Sequence, residues 1–208
     1  MIVVGLTGSI GMGKSTVASL LKLWKIPVWE ADSVVHTFLG VGGEAVPAVA
    51  NEFPGASIGE KIDRKKLGQI VFQNEKALEA LEKIVHPLVE REGVRFIESS
   101  QRRGERMVAL DIPLLFETHS DFLCTHTMLV QAPRFVQVAR VLRRPGMTLA
   151  KMNAILSRQM SDRKKREAAD FIINTGISRR ETVRQLKNII KSKLQNYESA
   201  EVSRRMQG

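Results

Sequence analysis

The apolar run Ile2-Val3-Val4 leads directly into Gly5-Leu6-Thr7-Gly8-Ser9-Ile10-Gly11-Met12-Gly13-Lys14-Ser15-Thr16, a complete G-x-x-x-x-G-K-[ST] phosphate-binding loop. A buried strand, a glycine-rich turn and a helix, in that order, aim backbone N–H groups at a phosphate. This context commits the start of the chain to an α/β architecture. The glycines let successive amides curl around a β-phosphate, and Lys14 adds a mobile point charge. Ser15 would set its hydroxyl on the Mg²⁺ that bridges β- and γ-phosphates, while a helix from about Ser15 to Leu23 adds its positive end. The implied ligand is a nucleoside triphosphate with Mg²⁺. What is done with it must come from elsewhere in the chain.

The remaining pattern alternates short apolar strands with helices. Ile2 to Leu6, Ile26 to Trp29, Met107 to Ile112, Thr127 to Gln131 and Asp170 to Asn174 read as five strands of a parallel sheet covered on both faces. Ligand sites are then expected at the carboxyl ends of the strands. Between the second and third strands lies a helical insertion. Asp63 is placed to cap a helix carrying Leu67, Ile70 and Val71, and Asn74 to cap another carrying Leu78, Leu81 and Val85. His86-Pro87 should interrupt that second helix, because proline disfavours helical geometry at the residue before it. A further excursion, about Pro133 to Ala169, reads as two helical stretches split by Pro145-Gly146, and the polar tail from about Asn196 reads as loose.

Charge is unevenly spread along the 208 residues, whose net charge is +10. From Arg134 to Arg166 there are ten basic residues and one acid, Asp162. Such a segment can neutralise a small polyanion such as ATP, track a nucleic-acid backbone, or form a solvated helical face. No uncharged apolar run reaches the roughly 18 residues of a spanning helix, and the short N-terminal apolar run lacks the flanks of a signal peptide. The single Cys124 excludes an intramolecular disulfide. The reading is a cytoplasmic protein with no membrane partner.

Two acids stand at strand ends. Asp32 follows the second strand and would open onto the edge that carries the P-loop. Spacing alone leaves it equally a general base for a hydroxyl acceptor and an N-cap for a helix Ser33 to Leu39. Asp111, near the end of the third strand, resembles a Walker B acid.

These residues together resemble the dephospho-CoA kinases. The resemblance rests on the P-loop, Glu30-Ala31-Asp32 with His36, Ile62-Asp63-Arg64 followed by Leu67 and Phe72, and Ile84-Val85-His86-Pro87. It continues through Asp111-Ile112-Pro113-Leu114-Leu115-Phe116-Glu117 and Ala169-Asp170-Phe171-Ile172-Ile173-Asn174, and ends near residue 176. The P-loop discriminates little, whereas the Ile-Pro-Leu-Leu-Phe-Glu run and the ordered acid, His-Pro and Asn elements discriminate well.

The resemblance implies transfer of a phosphoryl group from ATP to the ribose 3′-hydroxyl of dephospho-CoA, the last step of coenzyme A synthesis. It implies a three-layer P-loop kinase core with a five-stranded parallel sheet, formed by residues 1–30, 104–132 and 170–208. A helical CoA-side domain would occupy 31–103 and a basic lid 133–169. Carried onto matching positions, Gly11, Met12, Gly13, Lys14, Ser15 and Thr16 bind ATP, with Asn174 and Gly176 beside its adenine. Asp32, Lys14 and Arg140 are the catalytic candidates, Asp32 as base and Arg140 as a lid arginine on phosphate, and Ser15 is the metal ligand. Asp32, His86, Leu114, Leu115, Phe116 and Glu117 would border dephospho-CoA. Arg143, Arg144 and Arg158 remain interchangeable lid candidates.

Three positions depart from the pattern. Glu30 stands where an aspartate is common, and Ser9 and Met12 replace residues often Gly and Ser. Met12 is expected to alter the mouth of the pocket. Another small-molecule or nucleotide kinase would share the P-loop and lid without these ordered motifs, and a GTPase would need an Asn-Lys-x-Asp motif that is missing. A nucleic-acid-binding ATPase would need stacking aromatics, and only Phe135 lies within the basic segment. The reading is therefore no nucleic-acid partner, with oligomeric state left open.

Overall fold

The computed structural model describes residues 1–72 and 74–206, with side chains described as far as residue 192. The chain divides into two compact units, residues 1–29 with 99–208, and residues 30–98.

The first unit is organised by a five-stranded parallel sheet of order β2-β5-β1-β6-β7. Its strands are β1 (Ile2–Thr7), β2 (Val28–Glu30), β5 (Met107–Asp111), β6 (His126–Gln131) and β7 (Phe171–Asn174). All five match strands expected from the sequence, with ends shifted by a residue or two. β1 is buried along its whole length, as a central strand covered on both faces must be. Alternate residues Ile2, Val4 and Leu6, with Met107, Ala109, Met128 and Val130 of the flanking strands, form one face of this core. Val17, Ala18, Leu20 and Leu21 of α1 (Lys14–Leu23) and Leu186 of α9 (Arg179–Met206) cover it. Each such leucine, fully buried, contributes about 2 kcal/mol of transfer free energy.

On the other face Gly5 leaves a gap that neighbours fill. A Cβ there would stand 2.7 Å from Cys124 Sγ and 2.9 Å from Leu115 Cδ2. Burial, with the nearby Asp121 carboxylate, pushes the Cys124 thiol up to about 12.

The expected two-helix excursion contains three helices, α6 (Arg134–Leu142), α7 (Leu149–Leu156) and α8 (Asp162–Ala168). The turn at Pro145-Gly146 is present, but a second break precedes Asp162. There the Ser161 hydroxyl accepts from the Lys164 amide at 3.4 Å, a start signal in a stretch otherwise dense in good helix formers. The backbone of α9 is helical to Met206, so the tail is not loose coil over that span.

The second unit holds α2 (Ala31–Phe38), α3 (Val46–Glu52), a two-stranded antiparallel hairpin of β3 (Ser57–Ile58) and β4 (Lys61–Ile62), α4 (Arg64–Phe72) and most of α5 (Glu75–Arg102). Its own core gathers Phe38, Val49, Phe53, Ile62, Leu67 and Val71, with Leu78, Leu81, Ile84 and Leu88 packed against them. Both expected caps form. Asp63 Oδ1 accepts from the Lys65 and Lys66 amides at 2.9 and 3.1 Å, and Asn74 Oδ1 accepts from Ala77 at 3.2 Å. Of the α4 residues expected inside, Leu67 and Val71 are buried, whereas Ile70 is exposed.

His86-Pro87 does not end a helix. α5 runs unbroken through Pro87 for 28 residues. The proline ring faces solvent, while Leu81, Ile84, Leu88 and Val89 on either side dock on one core. Burial on both sides of the proline outweighs the lost hydrogen bond.

Candidate active site

The carboxyl ends of β1 and β5 lie side by side, with Leu6 in register with Asp111. The P-loop leaves β1 there and returns as α1, which sets the Lys14 ammonium in an ion pair with Asp111 Oδ1. Both side chains are largely shielded, 17% and 10% exposed, so their charges are felt strongly. Gly13 ends the loop in the left-handed region at φ 92°, and a Cβ there would stand 2.7 Å from Thr175 Oγ1. Gly11, at φ 79°, is equally closed to substitution, because Val141 Cγ2 would lie 2.6 Å from its Cβ. The first-turn amides of α1, on Lys14 and Ser15, have no acceptor within the helix and form an anion-binding end.

Arg140 of α6 reaches this loop. Its Nη1 donates to Thr175 Oγ1 and its Nη2 to the Thr175 carbonyl, each at 2.8 Å, and Nη1 stands 3.5 Å from the Gly11 carbonyl. The Thr175 hydroxyl in turn donates to the Met12 carbonyl at 2.6 Å. Arginine, threonine and loop are thus one network, seated where Thr175 follows β7. Asn174 and Gly176 flank it. Asn174 Oδ1 accepts from the Gly176 amide at 2.8 Å, closing a tight turn after the strand.

Met12 points inward. It is 3% exposed and its sulfur accepts from the Ala132 amide at 3.1 Å, so its bulk fills the space beside the end of β6 instead of the pocket mouth. Ser9 is also buried, donating to Asp162 Oδ1 of α8 at 2.7 Å.

The segment after β5 divides in use. Leu115 and Phe116 are buried, Leu115 over Gly5, while Leu114 is half-buried. The Glu117 Oε1 accepts from the Met160 amide at 2.7 Å and lies 2.8 Å from Lys165 Nζ. The remaining candidates, Asp32 and His86, belong to the second unit and are both exposed. Asp32 is not a cap. α2 begins at Ala31 with Glu30 in the cap position, and Asp32 lies in its first turn, where a carboxylate complements the helix dipole. Glu30 instead accepts from Ser33 Oγ at 3.0 Å.

The donors near the loop suit a hard cation held largely by phosphate. Ser15 is exposed at the start of α1, and the Asp111 carboxylate stands beside Lys14, giving oxygen ligands of the kind Mg²⁺ accepts. Among the described residues there is no group of three or more His, Cys, Asp or Glu that could hold a metal by itself.

Residues 2–181 match the family described as dephospho-CoA kinase. The chain belongs to that family. A dephospho-CoA kinase of Paramagnetospirillum magneticum is 49% identical over 166 residues, covering 80% of this chain and 78% of the relative. The crystal structure of TT1252 from Thermus thermophilus superposes with a TM-score of 0.80 at 34% identity, covering 93% of this chain and 97% of that one. The dephospho-CoA kinase from Campylobacter jejuni gives 0.70 at 25% identity, covering 94% and 98%.

Within this dephospho-CoA kinase family member, sequence reading passed over Thr175, Gln137 and Gln159. Gln137 is 1% exposed and donates to the Ile10 carbonyl at 2.8 Å, and Gln159 accepts from the Ile10 amide at 3.3 Å. A glutamine four residues before Val141, on the inward stripe of α6, was a readable signal for the first. Thr175 sits between two residues already singled out, at the carboxyl end of a strand.

Proposed function

We propose that this chain transfers the γ-phosphoryl group of ATP to the ribose 3′-hydroxyl of dephospho-CoA, giving coenzyme A and ADP. The observation that carries the reading is the convergence of Lys14, Asp111, Arg140 and Thr175 on one P-loop in a member of this family. In the transfer the bond from the γ-phosphorus to the β,γ-bridging oxygen breaks as the 3′-oxygen bonds to phosphorus. The hydroxyl proton passes to the Asp32 carboxylate, whose role rests on the Glu30-Ala31-Asp32 resemblance. Lys14 and Arg140 meet the charge that spreads over the transferring phosphoryl oxygens, and the P-loop amides hold the β-phosphate. Mg²⁺, when bound, neutralises phosphate charge, with Ser15 as its protein ligand and Asp111 nearby. Asn174 and Gly176 border adenine, and His86 with the Leu114 to Glu117 segment borders dephospho-CoA.

No helix among the described residues is long and apolar enough to cross a membrane, and ATP and Mg²⁺ are abundant in the cytoplasm, where we place the reaction.

The test is the purified chain with ATP, Mg²⁺ and dephospho-CoA, followed by formation of coenzyme A and ADP. Absence of 3′-phosphorylated product above the no-enzyme control refutes the assignment. Asp32→Asn is expected to lower turnover with substrate affinity kept. Near-normal turnover would remove Asp32 from the base role.

A further inference from the structure

Lys165 is the one basic side chain among the described residues with no solvent exposure. Its Nζ stands 2.8 Å from Glu117 Oε1, off the hydrogen-bonding direction, and neither Nζ nor Glu117 Oε2 has a hydrogen-bond partner within the protein. Desolvating two charges for so incomplete a contact is unfavourable compared with apolar side chains of the same volume. What the pair does provide is a fixed position for α8 against the segment that follows β5.

The same helix grips the P-loop. Asp162 lies three residues before Lys165, on the same face, and its Oδ1 accepts from the buried Ser9 hydroxyl at 2.7 Å. Just before α8, Gln159 Oε1 accepts from the Ile10 amide at 3.3 Å. The Met160 amide between them donates to the very oxygen of Glu117 that faces Lys165. One short stretch, residues 159–165, therefore touches the donor loop at one side and the Leu114 to Glu117 segment at the other.

We propose that Lys165 is a positioning residue that couples the two substrate half-sites. By pinning α8 to Glu117 while Asp162 and Gln159 hold Ser9 and Ile10, it makes the P-loop and the acceptor-side segment move as one body. Each substrate then binds more tightly when the other is present, by the same factor in both directions. This rests on the function proposed above, which assigns those segments to ATP and dephospho-CoA.

The experiment measures binding of a non-hydrolysable ATP analogue with Mg²⁺ by calorimetry, with and without dephospho-CoA, alongside turnover. The expected coupling in the wild-type chain is roughly fivefold or more. Lys165→Met, which keeps the stem and deletes the charge, should bring it close to one, and should raise KM for dephospho-CoA more than it lowers kcat. Lys165→Arg should restore coupling, a rescue that simple space-filling would not give. Asp162→Ala removes the Ser9 contact at an exposed position and should also reduce coupling, and it decides the matter alone if Lys165→Met does not fold. Folded variants that keep wild-type coupling overturn the proposal. So does a wild-type enzyme that forms coenzyme A yet binds the two ligands independently, a result that leaves the assigned reaction standing. A wild-type chain that forms no coenzyme A overturns the reaction itself and the coupling with it.

Discussion

Lys14 and Asp111 set opposite charges against each other at the mouth of the P-loop, so the ammonium is held by a carboxylate that can hand it to phosphate. Lys14→Ala should lower turnover on the order of 100-fold or more if its main contact is made in the transition state, read as kcat and kcat/KM falling together. Thr175 is a quieter member of the site. Thr175→Val keeps the shape but strips the hydroxyl from Arg140 and from the Met12 carbonyl. Urea denaturation should show a loss of about 1–3 kcal/mol, the cost of leaving buried polar groups unpaired. The contrast between these two residues explains what was readable. Lys14, Ser15 and the glycines announce themselves because phosphate binding demands those types at that spacing. Thr175 was not readable as a partner of Arg140, because the two meet only when α6 and the end of β7 are packed together. Met12 was misjudged for a related reason: a flexible thioether goes where the core has room, which local sequence does not encode.

The strands were legible because each is a short apolar run between polar turns, and the caps of α4 and α5 because Asp63 and Asn74 act on amides two or three residues away. The unbroken α5 was not legible, since local backbone preference at His86-Pro87 yields to packing of residues distant in sequence. The Ser57 to Ile62 hairpin was missed because its strands have two residues each, too few to show a period. Pro87 still carries its penalty. Pro87→Ala should raise stability by about 1–3 kcal/mol in chemical denaturation, by restoring one helical hydrogen bond at an exposed position. The α4 cap gives a pH dependence whose direction follows from Asp63. Its carboxyl is held below the ordinary value of 3.8, chiefly by the Lys66 amide, against an opposing effect of desolvation that the Lys65 amide and the two lysine charges help to offset. A depressed folded-state value means that the unfolded chain binds the proton more readily. The stabilisation is therefore complete above the ordinary value and is lost as pH falls through the lower folded one. Denaturation midpoints of wild type and Asp63→Ala should converge on acidification below about pH 4.

Two units with separate cores make up the chain, the second of them running over Glu30–Glu98. Family membership was legible from ordered motifs that span nearly the whole match, whereas the three-helix make-up of residues 133–169 depended on a single capping serine. Net charge acts over the whole molecule. A surplus of +10 facing two polyanionic substrates should make kcat/KM for dephospho-CoA fall on the order of tenfold between low salt and physiological ionic strength, with kcat little changed. A flat salt profile would show that the basic surface faces away from the approaching substrates. The lone thiol, tucked over Gly5, has a practical consequence for such measurements. With Cys124 pushed up to about 12, roughly one thiol in ten thousand is ionised at pH 8. The wild-type chain should therefore ignore maleimide dyes. An exposed site such as Lys164→Cys would then take a single fluorophore without removal of the native cysteine, so that α8 can be watched directly as each substrate arrives.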